Sequence, residues 1–527
     1  MHRRLFARTL VLTLLAGVAV TTGVPAGGAA AQPADPAVAG LTDTIDTLLA
    51  DPRLAGSQAA VVVRDATTGE VLYNRNGERR LLPASNTKLL TSAAALEILG
   101  PGYRFTTDVR TKGAHSGVAL RGDLYLRGTG DPTLLAADYD ALAAKVAASG
   151  VQVVEGDLVA DDTWFDDRRL GTDWAWDDES FYYAAPVSAL SVAPNTDYDA
   201  GNVILTVRPG AAAGAAPVVT LTPETGVVTI DNRATTAASG GNTLDIERTH
   251  GTNQIVVSGA IPVNGAATTV WMSVPEPTEY AADVFRRALV RHGVQVLGGT
   301  RLGAATPADA RPLATHESMT MTELMVPFLK LSNNGHAEVL TKAIGRHVSG
   351  QGTWPAGLAA IRTFVAGMGM DVAAQRQADG SGLSRFNLIP ALEFTDLLVA
   401  ARAKPWFGPW YDALPIAGNP ARFVGGTLRT RMRNTPAADN VHAKTGTLTS
   451  VSGLSGYVTD ADGRRLVFSI LLNNQLLGVR DIEDRIAVAL ASFTAGQVTG
   501  QAVPSLPVPA REAPADIECS WVKPDAC

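Results

Sequence analysis

Cysteine is nearly absent from this 527-residue sequence, which contains only Cys519 and Cys527. Two cysteines cannot form the framework of a small disulfide-rich protein, and they cannot supply a four-cysteine zinc site or an iron–sulfur cluster. The eight histidines are scattered and show neither a His-Glu-x-x-His sequence nor any other metal-ligand spacing. The sequence therefore predicts a protein with no metal and no other cofactor.

Positive charge is also in short supply. The 44 lysines and arginines face 51 aspartates and glutamates, for a formal net charge of −7. This acidic balance argues against nonspecific binding to nucleic acid or to an anionic membrane surface. At about 150 residues per domain, the length suggests roughly three domains and leaves ample chain for a hydrophobic core.

Long apolar runs are missing except near the start. Basic residues 2–8 precede the apolar run Leu10–Val20, and Ala29–Ala31 before Gln32 fits a signal-peptidase site. A membrane anchor is the alternative, but this run is shorter than the ~18 residues of a spanning helix, and no later run reaches that length. We therefore expect residues 1–31 to be a cleaved signal peptide. The mature chain, without a transmembrane helix, is then exported to a periplasm-like space, the cell wall or the medium.

The two cysteines lie eight positions apart in a Pro/Ala-rich tail that covers residues 496–527. Export makes a disulfide permissible. We therefore expect Cys519 and Cys527 to close a small terminal loop that matters little to the main fold.

The order of helical and β-type segments predicts an α+β fold. The pattern indicates a hairpin at 59–74, a helix at about 85–99, and a mainly β stretch from about 105 to 310. The capping-box pattern Thr320–Glu323 starts a second helical region. Further strands are expected at 202–207, 218–230, 254–262, 440–447, 452–458 and 465–473, and further helices at about 336–347 and 479–493.

Lysine is rare, with eight residues against 36 arginines. Arginine keeps its proton in a protein, whereas a buried lysine can lose it and act as a base. Lys88 follows Ser85 by three residues, which places both side chains on one face of a helix, near the free N–H groups of its first turn. Alone, this pattern is equally that of a capping serine beside a solvated lysine, and Ser520–Lys523 repeats it.

Two further short sequences follow. Ser332–Asn334 reads Ser-Asn-Asn, which by itself is ordinary helix-capping and turn chemistry. Lys444–Thr447 reads Lys-Thr-Gly-Thr on an expected strand, where a lysine can simply protect an exposed edge, although a strand glycine often marks close approach of another backbone. Together and in this order, the three sequences are typical of penicillin-binding proteins and serine β-lactamases.

The chain resembles the class C low-molecular-mass penicillin-binding proteins, the DacB-type D-alanyl-D-alanine carboxypeptidase/endopeptidases, over about residues 40–493. Gly128–Leu134 (Gly-Thr-Gly-Asp-Pro-Thr-Leu) and Asp379–Arg385 (Asp-Gly-Ser-Gly-Leu-Ser-Arg) are similar to further family sequences. The 247 residues that separate Ser85 from Ser332 fit this subclass, because β-lactamases and simple carboxypeptidases place these motifs much closer together.

The resemblance implies a serine β-lactamase/transpeptidase-like domain, in which helices flank an antiparallel sheet. It also implies a large, mainly β insertion that forms two further domains, one nested in the other. The expected boundaries are 32–105 with 309–495 for the catalytic domain, 106–190 with 270–308 for the second domain, 191–269 for the third, and 496–527 for the tail.

The resemblance also implies a serine D,D-peptidase that cleaves peptidoglycan stem peptides and binds β-lactams covalently. Ser85 would be the nucleophile and Lys88 its base, which requires the lysine pKa to fall from ~10.4 to about 7 through burial and a nearby cation. Ser332 would relay a proton, and Asn334 would hold the substrate amide. Lys444, Thr445, Gly446 and Thr447 would bind the terminal carboxylate, and the backbone N–H groups of Ser85 and Thr447 would form the oxyanion hole.

A side-chain pocket is less directly indicated. Residues 172–183 mix acids with aromatics and can be read as a solvated acidic loop. By resemblance, five residues would line a pocket for the zwitterionic end of a diaminopimelate-type side chain. They are Asp178, Tyr183, Leu383, Arg385 and Leu448.

Two other functions remain open on the sequence. The first is a β-lactamase-like hydrolase, against which the long insertion argues, since no Glu-containing loop for fast deacylation is evident. The second is a non-catalytic peptidoglycan-binding protein that has kept the fold, against which the intact motifs argue.

Overall fold

The computed structural model describes residues 36–495, with side chains from Val38 onward. The expected signal peptide of residues 1–31 and the cysteine pair Cys519 and Cys527 lie outside this range, so both remain predictions. Among the described residues, no helix combines the length and the apolar character needed to cross a membrane.

Eleven α-helices occur within the described range. They are α1 Pro36–Leu49, α2 Lys88–Ile98, α3 Ala136–Ala148, α4 Pro277–Arg291, α5 Met321–Lys330, α6 Asn334–Ser349, α7 Trp354–Gly367, α8 Ala391–Ala401, α9 Phe407–Ala413, α10 Arg422–Gly425 and α11 Arg480–Ala491. Short 3₁₀ helices cover Pro52–Leu54, Ala84–Thr87, Trp176–Asp178, Tyr182–Ala184 and Gly426–Leu428.

The strands of the same range fall into several sheets. They are β1 Gln58–Asp65, β2 Val71–Arg75, β3 Arg80–Leu81, β4 Thr106–Thr111, β5 Ala114–Ser116, β6 Ala119–Arg121, β7 Leu124–Gly128, β8 Val153–Val154, β9 Leu158–Asp161, β10 Asn202–Arg208, β11 Val218–Thr222, β12 Thr229–Asn232, β13 Thr235–Ala237, β14 Asp245–Arg248, β15 Gln254–Ser258, β16 Ala260–Pro262, β17 Thr268–Ser273, β18 Gln295–Val296, β19 Thr300–Leu302, β20 Arg311–Glu317, β21 Ile389–Pro390, β22 His442–Leu448, β23 Val451–Thr459 and β24 Arg465–Asn473.

The main sheet is antiparallel, with the strand order β2-β1-β24-β23-β22. Its two faces are both buried. Val62 faces a core that it shares with α2, α5, α6 and α8, whereas Val61 and Val63 face a second core shared with α1 and α11. Because both faces are covered, β1 reads as a continuous apolar run rather than as an alternating one. The predicted antiparallel sheet flanked by helices, and the α+β class, are confirmed.

The stretch between β4 and β20 forms separate sheets with a core of its own. The largest has the order β19-β9-β7-β4-β20, and α3 and α4 pack against this region through residues such as Leu142 and Phe285. Two expected strands are each divided. Residues 218–230 give β11 and β12 because Pro223 cannot donate a ladder hydrogen bond, and residues 254–262 break at Gly259, whose φ is +83°. The division into three domains remains a prediction.

The helix that precedes Ser332–Asn334, the middle of the three motifs, begins with the capping box that the sequence predicts. Thr320 caps α5, since its hydroxyl accepts from the Glu323 backbone N–H at 3.3 Å and its own N–H donates to the Glu323 carboxylate at 2.7 Å. At the other end of α5, Lys330 is buried, and its Nζ donates to the carbonyl of Leu414. Burial lowers the pKa of Lys330 to about 8.

Replacement of Lys330 by methionine tests this buried amine. Between pH 8 and about 10.4 the unfolded chain binds more protons at this position than the folded one, so the free energy of unfolding should rise with pH. This rise should be up to about 3 kcal/mol larger in the wild type than in Lys330→Met. Urea unfolding of both proteins at pH 7.5, 9 and 10 measures the difference. Parallel pH profiles for the two proteins would show that the amine titrates as it does in water.

Candidate active site

Ser85 and Lys88 are brought together by a 3₁₀ turn rather than by an α-helix. The predicted helix starts three residues later than expected, at Lys88, because Ala84 adopts a left-handed φ of 48° and residues 84–87 form a 3₁₀ segment. Such a helix has three residues per turn, so side chains at i and i+3 eclipse each other. The Nζ atom of Lys88 lies 2.7 Å from Ser85 Oγ. The serine and the lysine therefore share one face, as predicted, through a tighter geometry.

Lys88 is completely buried and surrounded by oxygen atoms. Besides Ser85, its Nζ contacts Asn334 Oδ1 at 2.7 Å and the carbonyl oxygen of Ser381 at 2.9 Å. The amide and carbonyl oxygens can only accept hydrogen bonds, whereas the serine hydroxyl can also donate one. In its neutral form the amine would have two N–H groups for the acceptor oxygens and a lone pair for the Ser85 hydroxyl. The arrangement can therefore take a proton from Ser85.

The middle motif is the break between two helices. Helix α5 ends at Lys330, and Ser332 turns the chain with a left-handed φ of 56°. The Asn333 side chain then caps α6 by accepting the N–H of His336 at 3.0 Å. Asn334 is then the first residue of α6, and its Nδ2 donates to the carbonyl of Tyr183 at 2.8 Å. The Asn333 side chain therefore acts as a helix cap, whereas Ser332 contacts Lys444 and Asn334 contacts Lys88.

The third motif lies on β22, an edge strand of the main sheet. Lys444 is completely buried, so a solvated edge lysine is excluded, and its Nζ donates to Ser332 Oγ at 2.7 Å and to the Thr445 carbonyl at 2.8 Å. A Cβ atom on Gly446 would lie 2.6 Å from Asn86 Nδ2 and 2.7 Å from the Pro83 carbonyl. The expected close approach of another backbone is confirmed, and only glycine fits there.

The five residues of the predicted side-chain pocket lie near one another. Leu383 and Leu448 pack in one apolar cluster with Ala84 and Tyr183. The Tyr183 hydroxyl donates to Asp178 Oδ1 at 2.9 Å. Burial raises the pKa of Asp178, while the Tyr183 hydrogen bond and the Arg385 charge oppose that rise.

Arg385 is the more exposed member of this group, and its Nη2 donates to the backbone carbonyl of Thr449 at 3.1 Å. The group therefore combines apolar side chains with one carboxylate and one guanidinium. This composition suits a side chain that carries both an amine and a carboxylate.

Sequence reasoning missed the carboxylate that positions the carbonyl of Ser381. Glu338 is completely buried, and it accepts backbone N–H groups from Gly380 at 2.9 Å and Ser381 at 2.8 Å, together with Trp354 Nε1 at 2.7 Å. Burial and the neighbouring Asp379 raise the pKa of Glu338 to about 7. The available signal was spacing, since Glu338 follows Asn334 by four residues on α6 and so shares its face.

Two further neighbours gave no sequence signal. The Thr445 hydroxyl donates to Thr427 Oγ1 at 2.8 Å, and Arg480, the first residue of α11, donates to Thr447 Oγ1 at 3.4 Å. Arg480 adds positive charge beside the residues predicted to bind a carboxylate. The predicted oxyanion hole at the N–H groups of Ser85 and Thr447 remains a prediction.

The site defines a class of enzyme. A buried lysine adjoins Ser85, and helices flank an antiparallel sheet that carries the third motif on its edge strand. The chain belongs to the D-Ala-D-Ala carboxypeptidase 3 (S13) family, which it matches over residues 41–494. It is a serine-type D-Ala-D-Ala carboxypeptidase of the penicillin-binding protein group, as the sequence predicts.

Several known proteins are similar to this chain. A D-alanyl-D-alanine carboxypeptidase of Actinomadura sp. (strain R39) is 47% identical over 490 residues, which cover 92% of this chain and 90% of that protein. The carboxypeptidase DacB of Haemophilus influenzae is 26% identical over 437 residues, covering 82% and 88% of the two chains. The crystal structure of penicillin binding protein 4 (dacB) from H. influenzae superposes with a TM-score of 0.74 at 25% identity, covering 85% of this chain and 99% of that one.

Substitution of Glu338 by glutamine tests whether this carboxylate positions the site. Glutamine keeps the size but offers one acceptor oxygen, and its NH₂ group faces backbone donors, so the carbonyl of Ser381 should move away from Lys88. We expect kcat for hydrolysis of a D-Ala-D-Ala peptide to fall at least about tenfold, with KM changed less.

Glu393→Gln is the matched control for this experiment. Glu393 is also buried, but its carboxylate accepts the backbone N–H of Asp371, away from the three motifs. Its kcat should stay close to that of the wild type. Equal kcat values for a folded Glu338→Gln protein and the control would contradict a positioning role.

Proposed function

We propose that the protein is a serine D,D-peptidase that cleaves the D-Ala-D-Ala bond of peptidoglycan stem peptides through an acyl-enzyme on Ser85. One observation carries this proposal. The Nζ atom of Lys88 lies 2.7 Å from Ser85 Oγ, and two acceptor oxygens occupy its other directions. Such a lysine can accept the hydroxyl proton as Ser85 attacks the carbonyl carbon.

The leaving D-alanine must receive a proton when the peptide bond breaks. Ser332 Oγ accepts a hydrogen bond from the Nζ atom of Lys444 at 2.7 Å, and a charged Lys444 can replace a proton that the serine gives up. Ser332 therefore relays the proton to the leaving nitrogen. A water molecule then hydrolyses the acyl-enzyme and releases the shortened stem peptide. Lys88 returns its proton to Ser85 Oγ, and the proton lost by the attacking water restores the charge of Lys444.

Binding and charge stabilisation use the remaining motif residues. Asn334 holds the substrate amide, and Lys444 with Thr445, Gly446 and Thr447 binds the terminal carboxylate. Arg480, at 3.4 Å from Thr447 Oγ1, strengthens the attraction for this anion. The N–H groups of Ser85 and Thr447 stabilise the oxyanion, which is often the largest single contribution to rate in acyl transfer.

Endopeptidase activity is the second part of the proposal. A D-Ala–diaminopimelate cross-link presents the same type of bond, with a side chain that carries an amine and a carboxylate. Asp178 can meet the amine and Arg385 the carboxylate, while Leu383 and Leu448 contact the methylene groups. The enzyme therefore acts on both terminal D-alanine and cross-links.

β-Lactams are proposed as covalent inhibitors that acylate Ser85. The H. influenzae penicillin binding protein 4 has been crystallised complexed with a novel β-lactam, and that structure shares the fold of this chain with a TM-score of 0.69 at 24% identity. Peptidoglycan lies outside the cytoplasmic membrane, so the proposed substrate agrees with the export that residues 1–31 predict.

Labelling with a fluorescent penicillin tests the nucleophile. The wild type should form a long-lived adduct, visible by gel fluorescence and as an added mass, and Ser85→Ala should form none. The matched control is Ser520→Ala, because Ser520 begins the other Ser-x-x-Lys sequence of the chain and should label normally. Rapid turnover of the penicillin would instead support a β-lactamase, and an unlabelled wild type would support a binding protein.

Substitution of the pocket residues tests the side-chain specificity. Arg385→Gln and Asp178→Asn should each lower kcat/KM by about tenfold for substrates with a diaminopimelate side chain. Both variants should cleave a D-Ala-D-Ala peptide with an alanine at that position as the wild type does. Mass spectrometry of products from monomeric and cross-linked muropeptides measures both activities. An equal loss of kcat/KM on the two substrates would show that these residues do not recognise the diaminopimelate side chain.

A further inference from the structure

A polar cavity lies in the described part of the chain, built from residues outside the three motifs. It has a volume of about 350 Å³. Strands β4, β7 and β9 supply one wall, the loop after β19 another, and the last turn of α6 a third. The lining residues include Arg110, Arg127, Asp161, Trp164, Thr306 and Arg346.

This cavity is remote from Ser85. Asn334 is the first residue of α6, and Arg346 follows twelve positions later on the same helix. At 1.5 Å per residue, the two residues are about 18 Å apart along the helix axis. The cavity is therefore a separate site, and anion binding there does not require the proposed activity of Ser85.

Two of the arginines stack on a single indole ring. The guanidinium carbon of Arg346 lies 4.4 Å from the centre of the Trp164 ring, and that of Arg127 lies 5.2 Å from it. Stacking on an aromatic face holds a guanidinium plane in place while its N–H edge stays available for an oxyanion. The Trp164 ring thus holds two guanidinium groups at the wall of one cavity.

The neighbouring carboxylates are largely committed to other groups. Asp161 accepts hydrogen bonds from Thr163 N at 3.0 Å, Thr163 Oγ1 at 2.7 Å and Thr306 N at 2.7 Å, and it lies 3.9 Å from Arg127 Nε. Asp108 lies 3.4 Å from Arg110. Further acids nearby pair elsewhere, Asp162 with Arg169 and Asp166 with Lys342.

The charge balance of the cavity is therefore positive. Three guanidiniums line it against the single carboxylate of Asp161. Arg346 Nη1 donates one hydrogen bond of 2.7 Å to the carbonyl of Gly350, and its other N–H groups are available to a ligand in the cavity. Asp108 and Asp161 offset part of the charge of Arg110 and Arg127, so the excess positive charge centres on Arg346. A concave site with excess guanidinium charge attracts anions and binds them through paired N–H groups.

Two polar atoms point to the same conclusion. Within residues 36–495, the buried Trp164 Nε1 and Thr306 Oγ1 have no hydrogen-bond partner, although both residues line the cavity. A buried donor without a partner costs free energy. An acceptor on a ligand in the cavity would relieve this cost once the two side chains turn toward it.

We propose that this cavity binds a compact oxyanion, a phosphate or a carboxylate group, through Arg127, Arg346 and Trp164 Nε1. A volume of about 350 Å³ is at the small end of ligand sites, so it takes a small anion or the charged end of a longer chain. The anionic group has two available sources outside a cell. One is phosphate, free or as an ester, and the other is the carboxylate of a peptidoglycan stem peptide.

Calorimetric titration of the mature protein with inorganic phosphate tests the site. We expect saturable binding of one phosphate, which weakens at least about tenfold in the double variant Arg127→Gln/Arg346→Gln and also weakens in Trp164→Phe. Arg362→Gln is the matched control, because Arg362 lies exposed on the neighbouring helix α7. Hydrolysis of a D-Ala-D-Ala peptide should be unchanged in all of these variants.

A competition experiment, in which a muropeptide is added to the phosphate-bound protein, distinguishes the two sources of the anion. If a monomeric muropeptide displaces phosphate from the wild type, the cavity takes a stem-peptide carboxylate. If it does not, phosphate is the ligand class. Absence of saturable phosphate binding, together with absence of any muropeptide binding that the double variant weakens, would overturn the proposal. Equal binding by the double variant and the wild type would also overturn it, even if the variant melts at a lower temperature.

Discussion

The structure depends on one buried amine. Lys88 is completely enclosed, and its Nζ atom is held by Ser85, by Asn334 246 residues later, and by the carbonyl of Ser381 293 residues later. A buried lysine without such partners would be strongly unfavourable, so these three segments must meet for the fold to form around it. The same constraint places the Lys88 amine 2.7 Å from the Ser85 hydroxyl, which is the contact on which the proposed acylation depends.

The surrounding architecture keeps strained backbone in place at this point. Ala84 and Ser332 are left-handed non-glycine residues, each of which costs of order 1–3 kcal/mol, and both adjoin the reacting groups. Gly382 packs closely against Ala84, since an added Cβ at Gly382 would lie 1.8 Å from the Ala84 carbonyl oxygen. Glu338 fixes the loop that carries Ser381, and the edge strand β22 brings Lys444 to Ser332. Packing of rigid elements on both faces of the sheet offsets the local strain.

Much of this arrangement could be predicted from local signals. Hydrophobic periodicity, the capping box at Thr320 and the three motifs gave the α+β class and the order of elements, because each depends on neighbours within a few residues. The 3₁₀ geometry at Ser85 could not be predicted, since the turn packs against a loop roughly 300 residues away that local patterns do not reveal. Arg480 was missed for the same reason. Tertiary contacts alone define its place, and nothing in its local sequence marks it.

Replacement of Lys88 by arginine is the most direct test of this account. Arginine keeps the positive charge and can still donate hydrogen bonds, but it cannot accept the proton of Ser85. The account predicts that a folded Lys88→Arg protein reacts with penicillin at least about a thousandfold more slowly than the wild type, as measured by stopped-flow acylation. An acylation rate within about tenfold of the wild type would show that charge, rather than proton transfer, is what this lysine supplies.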